Sequence, residues 1–485
     1  MDSRQGSKFP RHRLIGLIAG PLAAAAIVLN PAPEGLPPQG WWTAAVGLWM
    51  AIWWMTEALP LAVTALLPVL LFPIFGIRSI EDTTPSYAHP LIFLFLGGFL
   101  LARAMHVWGL DRRLALNVLR FAGRSPRRVI AGIMAVTAFL SMWVSNTATA
   151  MVMLPIGLSV AASYSEDQGE GADTIAPTLL LGIAYAATIG GMGTIIGTPP
   201  NALFVAFMAE AHGIEISFIR WMMIGVPLVL VMLPLAWFVL SRLMFQVGGA
   251  EAEQSTAQIG ERLADLPRIS KGERCVAGVM LSVAILWITR PLITSAMPWL
   301  QLSDAGIAVV GALLLFVLPV DLRRGRFLLT WREAAAIRWD VLILFGGGLA
   351  LAGAMGDSGL ADWIGAQLRG LYALPLILLL LAIGMLMVFV GELASNTAMA
   401  AVFLPVAGAT ALTMGEPVAL FALPVALFAT LGFMLPVATP PNAIIFGSDK
   451  VEIRHMLRAG LILDLVGIVI VAVAVMTLGK WVLES

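Results

Sequence analysis

Residues Thr198–Asn201 and Thr439–Asn442 both read Thr-Pro-Pro-Asn, and each quartet lies inside a long apolar run. Consecutive prolines remove two backbone donors and clash with the preceding turn, at a cost of about 3 kcal/mol or more in a helix interior. A helix has to break at both places. In hydrocarbon such a break is tolerated only where the freed carbonyls and amides face protein or a wet cavity. A chain of this kind cannot be a plain bundle of unbroken helices.

The runs are membrane spans by composition. The 485 residues are 59% hydrophobic and 12% charged, with a mean hydropathy of +0.91, whereas average soluble domains are nearer half apolar and a quarter charged. Runs able to cross about 30 Å of hydrocarbon lie near 14–30, 41–58, 61–76, 88–107, 175–211, 218–245, 273–296, 303–320, 339–356, 416–446 and 456–479. The expected fold is an all-α polytopic membrane protein with about eleven crossings. The N-terminal stretch has the basic start and apolar run of a signal peptide, but further spans follow, so it reads as a retained first helix.

Two more apolar runs, 128–163 and 373–413, carry Ser145-Asn146-Thr147 and Ser395-Asn396-Thr397 at their centres. Short cytoplasmic loops collect lysine and arginine. If both runs are re-entrant hairpins and the N-terminus is cytoplasmic, the inside segments hold the clusters around Arg11, Arg112, Arg127, Arg268, Arg323, Arg338 and Arg454. The outside segments then hold only Arg78, Arg220, Arg290, Arg369 and Lys480. Making either run a single crossing inverts everything after it and destroys this asymmetry.

The Ser-Asn-Thr copies are 250 residues apart, and the same offset pairs Phe95 with Phe345, Gly97 with Gly347, Gly98 with Gly348, Met105 with Met355 and Leu154-Pro155 with Leu404-Pro405. The Thr-Pro-Pro-Asn copies pair at an offset of 241, the difference falling in the polar insert SEDQGEGADT of the first half. In the topology above the halves are inverted, a pattern of secondary transporters with broken helices near the midplane. The expected organisation is scaffold helices in 1–87, a first repeat in 88–245 with its hairpin at 128–163 and break at 197–201, and a cytoplasmic linker in 246–272. Scaffold helices in 273–338 follow, then a second repeat in 339–485 with its hairpin at 373–413 and break at 438–442. GLDRRLALNVLRFAG and SGLADWIGAQLRG read as amphipathic connecting helices at the interface.

Other classes fit poorly. One cysteine, Cys275, excludes a disulfide framework, the five histidines are scattered, and the basic residues form no aromatic-interleaved stripe for nucleic acid. With no nucleophile, base or metal constellation, no catalytic residue is assigned. GGMGTIIGT lacks the preceding strand and Gly-Lys-Ser/Thr ending of a phosphate loop, so it reads as close helix packing. Trp41, Trp42, Trp53 and Trp54 read as interface anchors, and Glu57 and Asp464 as structural or interfacial. Glu392 is either a hydrogen-bond partner near the hairpin tip or a coupling group. Hydroxyl and amide oxygens at the tips suit a hard cation, while helix N-termini and amide donors suit carboxylates. Two tips and two breaks would enclose one substrate site with a cation site on each side.

These motifs, with HPLIFLFLGGFLLA and WWMTEALPLAVTALLP, resemble the divalent anion/sodium symporter family, which includes bacterial dicarboxylate and tricarboxylate carriers and animal citrate transporters. The similarity runs from about residue 40 to the C-terminus. It implies eleven helices plus two hairpins, a homodimer held by scaffold helices, and elevator-type movement. It also implies sodium-driven uptake of succinate, malate, fumarate or citrate across the bacterial inner membrane, with two or more sodium ions and a periplasmic C-terminus. Matched residue by residue, the first sodium site takes Ser141, Ser145, Asn146 and Gly197, and the second Ala394, Asn396 and Ala438. Substrate contacts fall on Asn146, Thr147, Thr198, Asn396, Thr397 and Thr439. The remaining alternatives are a sodium-independent exchanger, a proton-coupled carrier, and a carrier of sulfate or arsenite. One departure stands out: the position equivalent to Ser141 in the second half is Gly391, where the family usually has a threonine.

Overall fold

The computed structural model describes residues 10–119, 125–165, 172–247, 268–367 and 374–479. Most of the expected linker at 246–272 and of the polar insert, and the basic N-terminal tail, lie outside the described residues. Helices α1 (Arg11–Val28), α2 (Pro38–Thr56), α3 (Leu61–Thr64), α4 (Leu67–Ile74) and α5 (Ile80–Thr83) lead to α6 (Pro90–Val107) and α7 (Leu110–Leu119). The first hairpin is α8 (Pro126–Ser141) and α9 (Asn146–Ser165), followed by α10 (Ala172–Gly191), α11 (Pro199–His212) and α12 (Phe218–Phe238). The second half holds α13 (Lys271–Ala296), α14 (Asp304–Val317), a two-stranded ribbon of β1 (Pro319–Asp321) and β2 (Arg326–Phe327), α15 (Trp331–Ala334), α16 (Trp339–Asp357) and α17 (Leu360–Gln367). The second hairpin is α18 (Leu376–Gly391) and α19 (Asn396–Met414), and α20 (Val418–Thr430), α21 (Pro440–Phe446) and α22 (Ile453–Ala474) complete the chain.

The sequence dictates where these elements stop. Both Thr-Pro-Pro-Asn quartets end an unwound stretch: the threonine is extended, at φ −145° for Thr198 and −139° for Thr439, and the prolines occupy the first helical positions, where no donor is needed. The run 175–211 is therefore two helices separated by residues 192–198, and 416–446 is likewise split by 431–439. The stretch 61–76 is also broken, into α3 and α4, rather than one continuous helix. Among the described residues eight helices are long and apolar enough to cross a membrane, and α19 is one of them. It is joined by a short turn to the 16-residue α18.

The halves interlock through their broken helices. α11 packs on α19 and α20 of the second half, and α21 packs on α9 and α10 of the first. Phe95 and Phe345, which the sequence repeat pairs, meet edge to face with ring centroids 5.0 Å apart. A Cβ on Gly97 would lie 2.6 Å from Ala308 Cβ, and one on its twin Gly347 would overlap Ala65. Only glycine lets α6 and α16 approach those neighbours. Two tryptophans correct the expectation of interface anchoring: Trp54 is fully buried with Nε1 donating to Leu61 O at 3.1 Å, and Trp53 is also buried. Trp41 keeps a half-exposed position and donates to Asn30 O.

Candidate functional site

The tip motifs begin helices. Asn146 and Asn396 are the first residues of α9 and α19, so Ser145 and Ser395 stand just before the helix, where a hydroxyl accepts from the first turn. Ser145 Oγ does so from Ala148 N–H at 3.3 Å. The tip is tied to the neighbouring break by Thr194 Oγ1, which donates to Met142 O at 2.5 Å.

Both tips and both breaks open onto one cavity of about 360 Å³, within the range of roughly 300 to 1,000 Å³ usual for small-molecule sites. Its lining contains Asn146, Thr147, Thr198, Asn396, Thr397 and Thr439, together with Ser145, Gly197, Ala438 and Ser395. Ser141 and Ala394 do not line it and sit behind the tips. Ser141 is fully buried; its Oγ contacts the Asn146 amide and donates to Ala187 O, both at 2.7 Å. The same terminal atom of the Asn146 amide lies 3.2 Å from both Ala187 O and Gly197 O. As nitrogen it donates to all three; as oxygen it completes a four-oxygen set suited to a hard cation.

The second half repeats this plan with different chemistry. A Cβ on Gly391 would meet no heavy atom within 4 Å, and Asn396 Oδ1 is buried without a hydrogen-bond partner. Organisation comes instead from Glu392, whose buried carboxylate accepts from Met434 N–H at 2.9 Å and Leu435 N–H at 2.8 Å, in the unwound stretch. That is the hydrogen-bond role among the two considered for it. Asp464 is fully buried, not interfacial; its Oδ2 accepts weakly from Phe433 N–H at 3.4 Å. Tyr185 donates to Phe433 O at 2.9 Å, tying α10 of the first half to this stretch.

Sequence reasoning missed the charged rim of the cavity. Glu57, Arg338 and Asp340 line it with side chains about half exposed, which marks its open side. Glu57 ends α2 in a left-handed conformation, φ 46°, and pairs with Arg13 at 2.8 Å; Arg338 holds Asp340 through two donors. Arg338 entered the sequence argument only as a loop charge, and no local pattern distinguishes it from its neighbours there. Phe95 and Phe99 supply apolar lining.

Paired hairpins and paired broken helices, closing around a single polar cavity inside an apolar helical body, define a membrane carrier. The chain belongs to the family described as the sodium:sulfate symporter transmembrane region, whose model matches residues 11–484. It is 38% identical over 481 residues to a sodium-dependent dicarboxylate transporter, SdcS, of Staphylococcus saprophyticus, covering 98% of this chain and 93% of that protein. The SdcS of Staphylococcus aureus strain USA300 is also 38% identical, over 98% of this chain and 92% of its own length. Among solved structures the fold is similar to the YdaH transporter of Alcanivorax borkumensis, at a TM-score of 0.57 and 14% identity, covering 97% of this chain and 96% of that one.

Proposed function

We propose that this chain is a sodium-coupled symporter for C4-dicarboxylates such as succinate, malate and fumarate, or for citrate, working in a bacterial inner membrane as a homodimer. The observation that carries the reading is the convergence of Asn146, Thr147, Thr198, Asn396, Thr397 and Thr439 on one cavity. Three helices of 14 residues or more, α9, α11 and α19, begin at that cavity. The free N–H groups at the starts of α9 and α19 and the positive dipole ends of all three helices favour carboxylates; α11 starts on two prolines and contributes its dipole alone, and the hydroxyls and amides add neutral donors. The oxygen set around Ser141 and Asn146 suits sodium as the first co-substrate; the orphan Asn396 oxygen beside Ala394 and Ala438 suits a second, held with fewer side-chain oxygens. The relatives' sodium-dependent dicarboxylate transport supports this assignment.

The two hairpins enter from opposite faces, and the N-terminus is cytoplasmic. The loop charges that support this put Glu57, Arg338 and Asp340 on the inner side, so the cavity opens inward. The hairpins and broken helices of the two repeats move as a unit past the scaffold helices in 1–87 and 273–338, carrying the enclosed site across.

The test is uptake of labelled succinate into proteoliposomes with and without sodium, competed by a panel of anions. Sodium-dependent uptake competed by C4 acids is expected. Uptake that ignores sodium but needs internal substrate identifies an exchanger, and competition by sulfate without C4 acids identifies an inorganic-anion carrier; either overturns the proposal.

A further inference from the structure

We infer that Asn201 and Asn442, the closing residues of the two Thr-Pro-Pro-Asn quartets, are positioning residues that separately set the cation-side wall of each half; this rests on the sodium-coupled reading above. Both are fully buried. Asn201 Nδ2 donates to Gly191 O at 3.0 Å and Thr194 O at 2.8 Å. Asn442 Nδ2 donates to Gly432 O at 3.1 Å and Leu435 O at 3.0 Å. The acceptors are equivalent under the repeat, so the same device occurs twice. Each amide uses both its N–H groups to tie the carbonyls of the unwound stretch to the helix beyond the break.

One of the two carbonyls held in each half, Gly191 O or Gly432 O, belongs to a glycine that supports the cation side. A Cβ on Gly191 would lie 2.6 Å from Asn146 Oδ1, so this glycine is the floor on which the tip amide rests. Gly197 folds back over the same peptide: its own Cβ would lie 2.9 Å from Gly191 Cα. In the second half a Cβ on Gly432 would lie 3.3 Å from Ala438 Cβ and 3.6 Å from Thr439 Cγ2. If the amide donors are lost, the glycine carbonyl turns and the wall residue or tip amide shifts with it.

Neither asparagine lines the cavity, so its effect on binding is indirect. Asn201 Oδ1 and Asn442 Oδ1 are both buried without a hydrogen-bond partner, which disfavours each residue at its site. An apolar residue would avoid that cost; what asparagine adds is a pair of donors on one rigid plane. Glu392 braces the second stretch from its N–H side, while the first is braced by Thr194 Oγ1 donating to Met142 O and Trp221 Nε1 donating to Met192 O. The loss of either asparagine is therefore felt at the cation side of its own half.

The experiment measures initial uptake of labelled succinate by purified, reconstituted protein, titrating sodium at saturating succinate and succinate at saturating sodium. Asn201→Ala is expected to raise the half-saturating sodium concentration up to about tenfold, the upper end of what one neutral hydrogen bond contributes, and Asn442→Ala to move it in the same direction. The succinate KM at saturating sodium stays within about twofold. Asn201→Asp, which turns a carboxylate toward two carbonyls, shifts the sodium curve further than alanine. If Asn201→Ala does not fold, Asn201→Ser is read in the same assay, with an intermediate shift expected from its single donor. A lower maximal rate with an unmoved sodium curve means a merely structural role and overturns the inference. Wild-type uptake without sodium dependence, in contrast, overturns the symport reading itself.

Discussion

Gly391→Ser transplants the first half's hydroxyl into the second. At Ser141 the hydroxyl makes contacts of 2.7 Å with the Asn146 amide and with Ala187 O. At Gly391 a Cβ meets nothing within 4 Å, and the residue is not among those with positive φ, so a side chain fits without backbone strain. The Asn396 oxygen nearby is buried and unpaired, which gives the new hydroxyl a partner as well as the cation. A net hydrogen bond contributes about 0.5 to 1.5 kcal/mol. If that gain appears in the cation-bound state, half-saturating sodium falls roughly two- to tenfold. Gly391→Thr moves it the same way. The assay is the sodium dependence of succinate uptake in proteoliposomes, with monodispersity and melting temperature measured alongside. A folded Gly391→Ser protein with an unchanged sodium curve refutes the argument that the second tip lacks only a side-chain oxygen.

Two further outcomes follow from the cavity. Asn146→Ala removes the group shared by the first cation set and the substrate lining; it abolishes transport while the protein remains folded and elutes as the wild type does in size-exclusion chromatography, and near wild-type uptake would refute the tip assignment. Val437 is 74% exposed on the cavity wall. In a Cys275→Ser background, Val437→Cys is labelled by a membrane-impermeant thiol reagent from the cytoplasmic side and protected by sodium with succinate; labelling only from the outside contradicts the inward-open orientation.

The breaks and tips were legible because a Pro-Pro pair or a Ser-Asn-Thr triplet conflicts with its apolar surroundings and recurs at a matched offset. The lining of the cavity could be read from the same motifs, since the residues that terminate a helix at depth are the ones left facing the gap. What stayed hidden depends on tertiary contact. Trp54 belongs to a Trp-rich stretch that resembles an interface belt until Leu61 O is seen to take its N–H. Asp464 is one acid in an apolar helix until Glu392 and Phe433 are found beside it. Asn201 and Asn442 were visible as motif letters, but their donors reach carbonyls seven and ten residues back across an unwound stretch, a distance no periodicity encodes. Glu57 and Arg338 come together at the rim only through the packing of distant segments.

In the proposed mechanism one dicarboxylate and two cation sites share the enclosure formed by both tips and both breaks. The most direct measurement is the flux of radioactive sodium into proteoliposomes on addition of succinate, compared with the flux of labelled succinate in the same preparation. The account predicts succinate-dependent sodium entry with a ratio of two or more sodium ions per succinate. Succinate entry with no accompanying sodium, or with a single ion, would contradict it.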